Sequence, residues 1–215
     1  MPSTRFAPPP RGTHGFTLIE LTVVLAVIVT LALILTPAIQ NFITDSRIAR
    51  TRSDTQTIAS AVLQFNRDTG FWPQWTTAGT TGGAGTTANR VDLLVTPGNV
   101  PTTQQSTLWT TGTTDLLGDQ VLSNTPGYTL KTATQPFGWN GPYLSSALLA
   151  DAWGNRYMVN VGLLESTMGA ANSAGTLKSA VWVISAGANG AMETVYQQPI
   201  TTAVLGGDDV GVRIQ

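Results

Sequence analysis

Residues 16–36 read FTLIELTVVLAVIVTLALILT, an apolar run interrupted by a single charge, Glu20. At 1.5 Å per residue, a helix over this run reaches about 30 Å, the thickness of a bilayer's hydrocarbon core. A cleavable secretory signal has a shorter apolar core, roughly 7–15 residues, followed by a small-residue site. Thr36-Pro37-Ala38 matches such a site poorly, so the run is expected to stay on the protein as an anchor. A simple signal anchor is the plain reading of such a run, and Glu20 speaks against it. A carboxylate near the start of a membrane helix costs on the order of 2–3 kcal/mol and calls for a positive partner. An α-amino group made at Phe16 by cutting after Gly15, on a neighbouring copy packed alongside, would supply one. Pro37 leaves the carbonyl of Leu33 without its usual donor, which predicts a kink or a melted turn there. A helix end at the membrane surface fits the same residue.

Past Pro37 the helical pattern persists. Ile58, Val62 and Phe65 fall at i, i+4 and i+7 as one apolar stripe, with Arg52, Asp54, Gln56 and Arg67 at polar positions. Gly70 and Pro73 end it, which predicts a helix from about Phe16 to Thr69. Residues 76–135 are rich in Thr, Gly, Gln and Ser and read as an inserted loop. Its glycines lack the Gly-Lys-Ser/Thr of a phosphate cradle, and the first lysine of the chain is Lys131. Three strands are predicted beyond it: Tyr157 to Val161 after the turn signal Gly154-Asn155, Ala180 to Ser185, and Val210 to Ile214 with period-two alternation. Trp153 is expected to serve as an apolar packing anchor. One long helix against short antiparallel strands gives an α+β fold.

Composition narrows the chemistry. The formal charge of −1 gives no electrostatic reason for a nucleic-acid partner. There is no cysteine, and the lone histidine, His14, lies upstream of the apolar run. A mature chain cut after Gly15 would have neither residue, which removes the usual nucleophile-base pairs and zinc sites, so no enzyme is expected.

Residues 15–27, Gly-Phe-Thr-Leu-Ile-Glu-Leu-Thr-Val-Val-Leu-Ala-Val, resemble the N-terminus of type IV prepilins and type II secretion pseudopilins. The resemblance implies that a prepilin peptidase cuts after Gly15 and methylates the new terminal Phe16, that Glu20 is the assembly carboxylate, and that in assembled filaments the helix can lose regular structure near Pro37. It makes residues 1–15 a leader, 16–39 the transmembrane assembly helix, 40–70 its amphipathic second half, and 71–215 a globular domain. The helix stop over Leu63–Pro73 looks like the pseudopilin pattern, and residues 91–97 resemble its short helical Leu-rich segment. Trp139-Asn140-Gly141-Pro142-Tyr143-Leu144 and Asp151-Ala152-Trp153-Gly154-Asn155-Arg156-Tyr157 resemble major pseudopilin motifs, with Ala152 and Arg156 in place of prolines.

Ser185-Ala186-Gly187-Ala188-Asn189-Gly190 and the pair Asp208-Asp209 are similar to the segments that bind calcium in that family. Carried over, the ligands are the backbone carbonyl of Ala186 and the side chains of Asn189, Asp208 and Asp209. Asn189 stands where the family has aspartate, which removes one negative charge from a hard-cation site. The plainer alternative is a hairpin turn at Asn189-Gly190 with a solvated acidic pair.

The resemblance implies a structural subunit of a pseudopilus that supports type II secretion, with a type IV pilus pilin for adhesion, motility or DNA uptake as the alternative. The absence of cysteine leans away from pilins that close a loop with a disulfide. The implied partners are further copies of the chain, the prepilin peptidase, an inner-membrane assembly platform with minor pseudopilins, and membrane lipid. The implied location is the bacterial inner membrane, crossed once, with the C-terminal domain in the periplasm or outside the cell.

Overall fold

The computed structural model describes residues 15–77, 87–147, 150–164 and 179–214. The leader through His14 and most of the biased Thr/Gly run lie outside the described residues. The chain forms two compact units, Met1–Thr44 and Asp45–Gln215. Helix α1, Leu18–Thr69, supplies residues to both. Its second half from Asp45 therefore belongs to the folded unit, which begins well before residue 71.

In the single chain α1 runs through Pro37 as helix. At the other end Gly70 takes φ +77°, a conformation that suits glycine at a helix C-cap, and its N–H donates to the Asn66 carbonyl at 2.8 Å. The Thr69 hydroxyl donates to the buried Phe65 carbonyl in the same last turn.

The predicted stripe is fully buried: Ile58, Val62 and Phe65 are each 0% exposed. Thr51 and Thr55 extend it towards the N-terminus. Ile58, Ala59, Ala61 and Val62 share one core with the sheet residues Leu93, Leu94, Met158, Val159, Val183 and Ile184. Phe65 anchors a second cluster with Trp75 and Tyr128, where the Phe65 and Tyr128 rings meet edge-on at 4.9 Å.

The sheet has five strands in the order β2-β1-β3-β4-β5. These are β1 Leu93–Val95, β2 Thr114–Leu116, β3 Met158–Val159, β4 Trp182–Ser185 and β5 Val210–Arg213. β1 pairs β2 in parallel, and the other neighbours are antiparallel. The sheet is thus mixed, not wholly antiparallel as the sequence suggested. A parallel pair needs a crossover, and residues 96–113, with helix α2 at Leu108–Thr111, provide it.

The Thr/Gly-rich segment is correspondingly more than a loop. It contributes β1, α2, β2 and helix α3 at Leu117–Val121. Its Leu-rich stretch forms strand β1, not the short helix expected, and all three residues are buried. β3 is shorter than the predicted strand because the Asn160 side chain takes over its bonding. The Asn160 amide donates to the Tyr196 carbonyl and accepts from Trp182 N–H at 2.7 Å, and a 3-10 turn follows at Val161–Leu163.

Trp153 is only partly buried and belongs to neither core cluster, contrary to its expected anchoring role. The turn there is held by Asp151. Its Oδ1 accepts the N–H groups of Trp153 and Asn155, both at 2.8 Å, and its Oδ2 takes the Ser185 hydroxyl. Asn155 in turn donates to the Gly187 carbonyl. The most deeply buried tryptophan of the core is Trp109, 0% exposed, with its indole N–H on the Thr194 carbonyl at 2.7 Å and its ring edge-on to Tyr196.

Candidate functional site

Two places carry the sequence-predicted functional residues: the N-terminal segment and the loop around Asp208-Asp209. In the first, Gly15, Phe16 and Thr17 precede the helix in non-helical backbone, and Phe16 is 90% exposed. Among the described residues nothing lies within 4 Å of the position a Cβ would take on Gly15.

Thr17 and Glu20 form a reciprocal cap on the helix that follows. Glu20 Oε2 accepts the Thr17 N–H and the Thr17 hydroxyl, each at 2.8 Å, and the Glu20 N–H donates to Thr17 Oγ1 at 3.3 Å. This is the capping box of a Thr-x-x-Glu sequence, which satisfies two N–H groups left over at a helix start. Part of the demand for a partner on Glu20 is thereby met within its own chain. The spacing from Thr17 to Glu20 was visible in the sequence, where Glu20 reads only as an assembly group.

Every described side chain from Gly15 to Thr44 is exposed. The segment is long and apolar enough to cross a membrane, with 0% of its most apolar window buried in the protein. Its hydroxyls are satisfied locally. Thr22 donates to the Ile19 carbonyl, Thr30 to those of Ala26 and Val27, and Thr36 to that of Ala32. Such back-bonding lets a threonine sit in hydrocarbon without an unpaired polar group.

The second place is assembled by residues far apart in sequence. The buried Ala186 follows β4 and leads into a turn over residues 187–190, in which Gly187 and Gly190 take φ +63° and +69°. A Cβ on Gly187 would run into the Asp208 backbone, so glycine is required there for close approach. Asp208 Oδ2 accepts the N–H groups of Ala188 and Asn189 at 2.8 and 3.0 Å. Asp209 Oδ2 accepts from Glu193 N–H, Thr194 N–H and the Thr194 hydroxyl at 3.0, 2.7 and 2.6 Å. Asn189 Oδ1 accepts from Ala191 N–H, and Glu193 Oε2 takes the Asp208 N–H. The four predicted residues are thus brought into one loop, joined by Glu193 and Thr194, which the sequence did not single out.

As a cation site the loop fits in one respect. Asp209 Oδ1 is buried without a hydrogen-bond partner, an acceptor that a cation would satisfy. Burial pushes the Asp209 carboxyl up to about 6, against the hydrogen bonds from Thr194 and Glu193 that lower it. Oδ1 of Asn189 and the Oδ2 atoms of Asp208 and Asp209 already accept backbone N–H groups. Among the described residues no group of three or more His, Cys, Asp or Glu is placed to hold a metal.

The model of the prokaryotic N-terminal methylation motif matches residues 10–36. No curated protein and no solved structure matches the chain. The matched segment covers the Gly15-Phe16 bond, the capped Glu20 and the exposed apolar helix. The methylation motif at the head of this helix, followed by a helix-and-sheet domain, indicates a type IV pilin-like protein.

Proposed function

We propose that the chain is a structural subunit of a pseudopilus that supports protein export by a type II secretion system. The observation that carries the filament reading is the methylation motif at the start of a helix whose apolar side chains are all exposed as far as Ile43. A face of that size must be covered by lipid, by other helices, or by both in turn. The secretion reading, as opposed to a type IV pilus, draws on the resemblances at residues 139–157 and on a chain without cysteine. Asp151, Asn155 and Tyr157 of that stretch hold a turn against the 185–187 segment and the core, a structural use of the motif.

Prepilin peptidase cuts after Gly15 and methylates Phe16. Glu20, capped by Thr17 in its own chain, meets the Phe16 ammonium of an adjacent copy during assembly. Mass spectrometry of the mature protein is expected to find N-methylated Phe16 as the first residue, and an intact leader would overturn the processing. Glu20→Ala is expected to leave the protein in the inner membrane while filaments are lost, because the ammonium loses its counter-charge. Complementation of secretion, as against piliation, in a strain deleted for the gene separates the two filament types.

Calcium is proposed as a ligand of the loop at Ala186, Asn189, Asp208 and Asp209, supported by the orphaned Oδ1 of Asp209. Asn189 Oδ1 accepts the Ala191 N–H and has a second lone pair that an ion could use. Millimolar calcium is expected to raise the Tm through binding to the folded state, and an unchanged Tm would remove the ion from this reading.

A further inference from the structure

Just past the apolar segment, α1 carries three exposed arginines, Arg47, Arg50 and Arg52. Arg50 is held by Asp54 at 3.7 Å, and Asp54 is also taken by the Tyr157 hydroxyl at 2.8 Å. Arg47 and Arg52 make no ion pair among the described residues. Asp45 is the one other charge in the stretch before Asp54, so residues 45–54 keep a net positive charge. A further exposed arginine, Arg67, lies far along the helix.

The spacing of charges along the helix matches a bilayer. No charged residue occurs between Glu20 and Asp45. Measured along α1 at 1.5 Å per residue, the step from Glu20 to Arg47 is about 40 Å. That is close to the roughly 40–45 Å of a bilayer counted with its headgroups, against about 30 Å for the hydrocarbon alone. With Glu20 at one interface, Arg47 falls in the opposite headgroup layer, with Arg50 and Arg52 within two turns of it. Long arginine side chains can reach back towards the phosphates. Flanking arginines beyond the span are unnecessary for insertion, and among the described residues Arg47 and Arg52 are exposed and make no ion pair.

We infer that Arg47 and Arg52 bind the headgroups of anionic phospholipids on the far side of the membrane while the subunit waits there before assembly. The inference rests on the membrane-anchored reading and adds to it a lipid preference and the residues responsible. Extraction into a filament would break these contacts, so they would hold back subunits not yet engaged by other copies.

The test uses the full chain in nanodiscs. The chain has no cysteine, so Ser46→Cys gives a single labelling site beside the arginines, and Val27→Cys a second one within the apolar segment. A fluorophore at position 46 is read against spin-labelled phosphatidylglycerol and, separately, spin-labelled phosphatidylcholine. The phosphatidylglycerol probe is expected to quench it more strongly, and added salt to shrink the difference. Arg47→Gln and Arg52→Gln are each expected to lower the preference about fivefold at low salt, the factor for roughly 1 kcal/mol per basic residue at an anionic surface. Equal quenching by the two lipids, or a preference that survives in the double variant, overturns the inference. A label at position 27 that acyl-chain spin labels fail to quench overturns the membrane reading and the inference with it. Quenching at 27 without a lipid preference at 46 overturns the inference alone.

Discussion

From Gly15 to Thr44 no described side chain is buried, and every side-chain hydrogen bond stays within four residues. In the unit from Asp45 onward, bonds join residues far apart in sequence: Trp109 to Thr194, Tyr157 to Asp54, Asn155 to Gly187. The first region is finished locally, by helical bonds, a capping box and back-bonded threonines, and its apolar side chains are exposed. The second closes upon itself. The same helix satisfies both conditions because its side chains, not its backbone, change character, from apolar on all sides to a single apolar stripe.

The sharpest way to break this contrast is at the centre of the closed region. Trp109→Ala should cost about 3–5 kcal/mol through the lost burial, the remaining cavity and an unpaired Thr194 carbonyl, measured by urea unfolding. A loss below 1 kcal/mol would mean that the core does not depend on the insertion that carries Trp109. Asp151→Ala comes next, at on the order of 2–3 kcal/mol, since Trp153 N–H, Asn155 N–H and the Ser185 hydroxyl all lose their acceptor.

A pH series probes Asp209. Its folded-state value, near 6, lies above the ordinary carboxyl value of 3.8, so the folded state holds the proton more tightly than the unfolded one. Stability from this group is greatest below about 4, falls as pH rises from 4 to 6, and is flat above that. In chelator, Asp209→Asn should remove this downward slope, and a slope unchanged by the substitution would show that another group produces it. The smallest effect belongs to the open region. Leu25→Ala should change the unfolding free energy of the folded unit by less than about 0.5 kcal/mol, because Leu25 is 52% exposed. A large change would show that the apolar segment packs on the domain.

How legible these features were depended on length and period. The apolar run and the Ile58-Val62-Phe65 stripe extend over several turns, so their spacing reads directly. β4 and β5, at four residues each, were found with slightly long boundaries. β1 and β2 have three residues each, too few to show a period, and their parallel pairing is decided by packing between distant segments. Trp109 was missed because its surroundings are Thr-rich, and Trp153 was over-read because it sits in a recognisable motif whose strength lies in Asp151. The pair Asp208-Asp209 was noticed, but its hydrogen bonds to the 187–194 segment depend on backbone donors that no sequence pattern displays.

β5 lies on the outside of the sheet and pairs only with β4 among the described strands. An outer strand held on one side can slide, and a shift of one residue would exchange the faces on which Val210 and Val212 point. Asp209 immediately precedes Val210 and is fastened by three donors from Glu193 and Thr194. The acidic pair therefore acts as a mechanical stop that fixes where the final strand starts, and it does so with or without an ion.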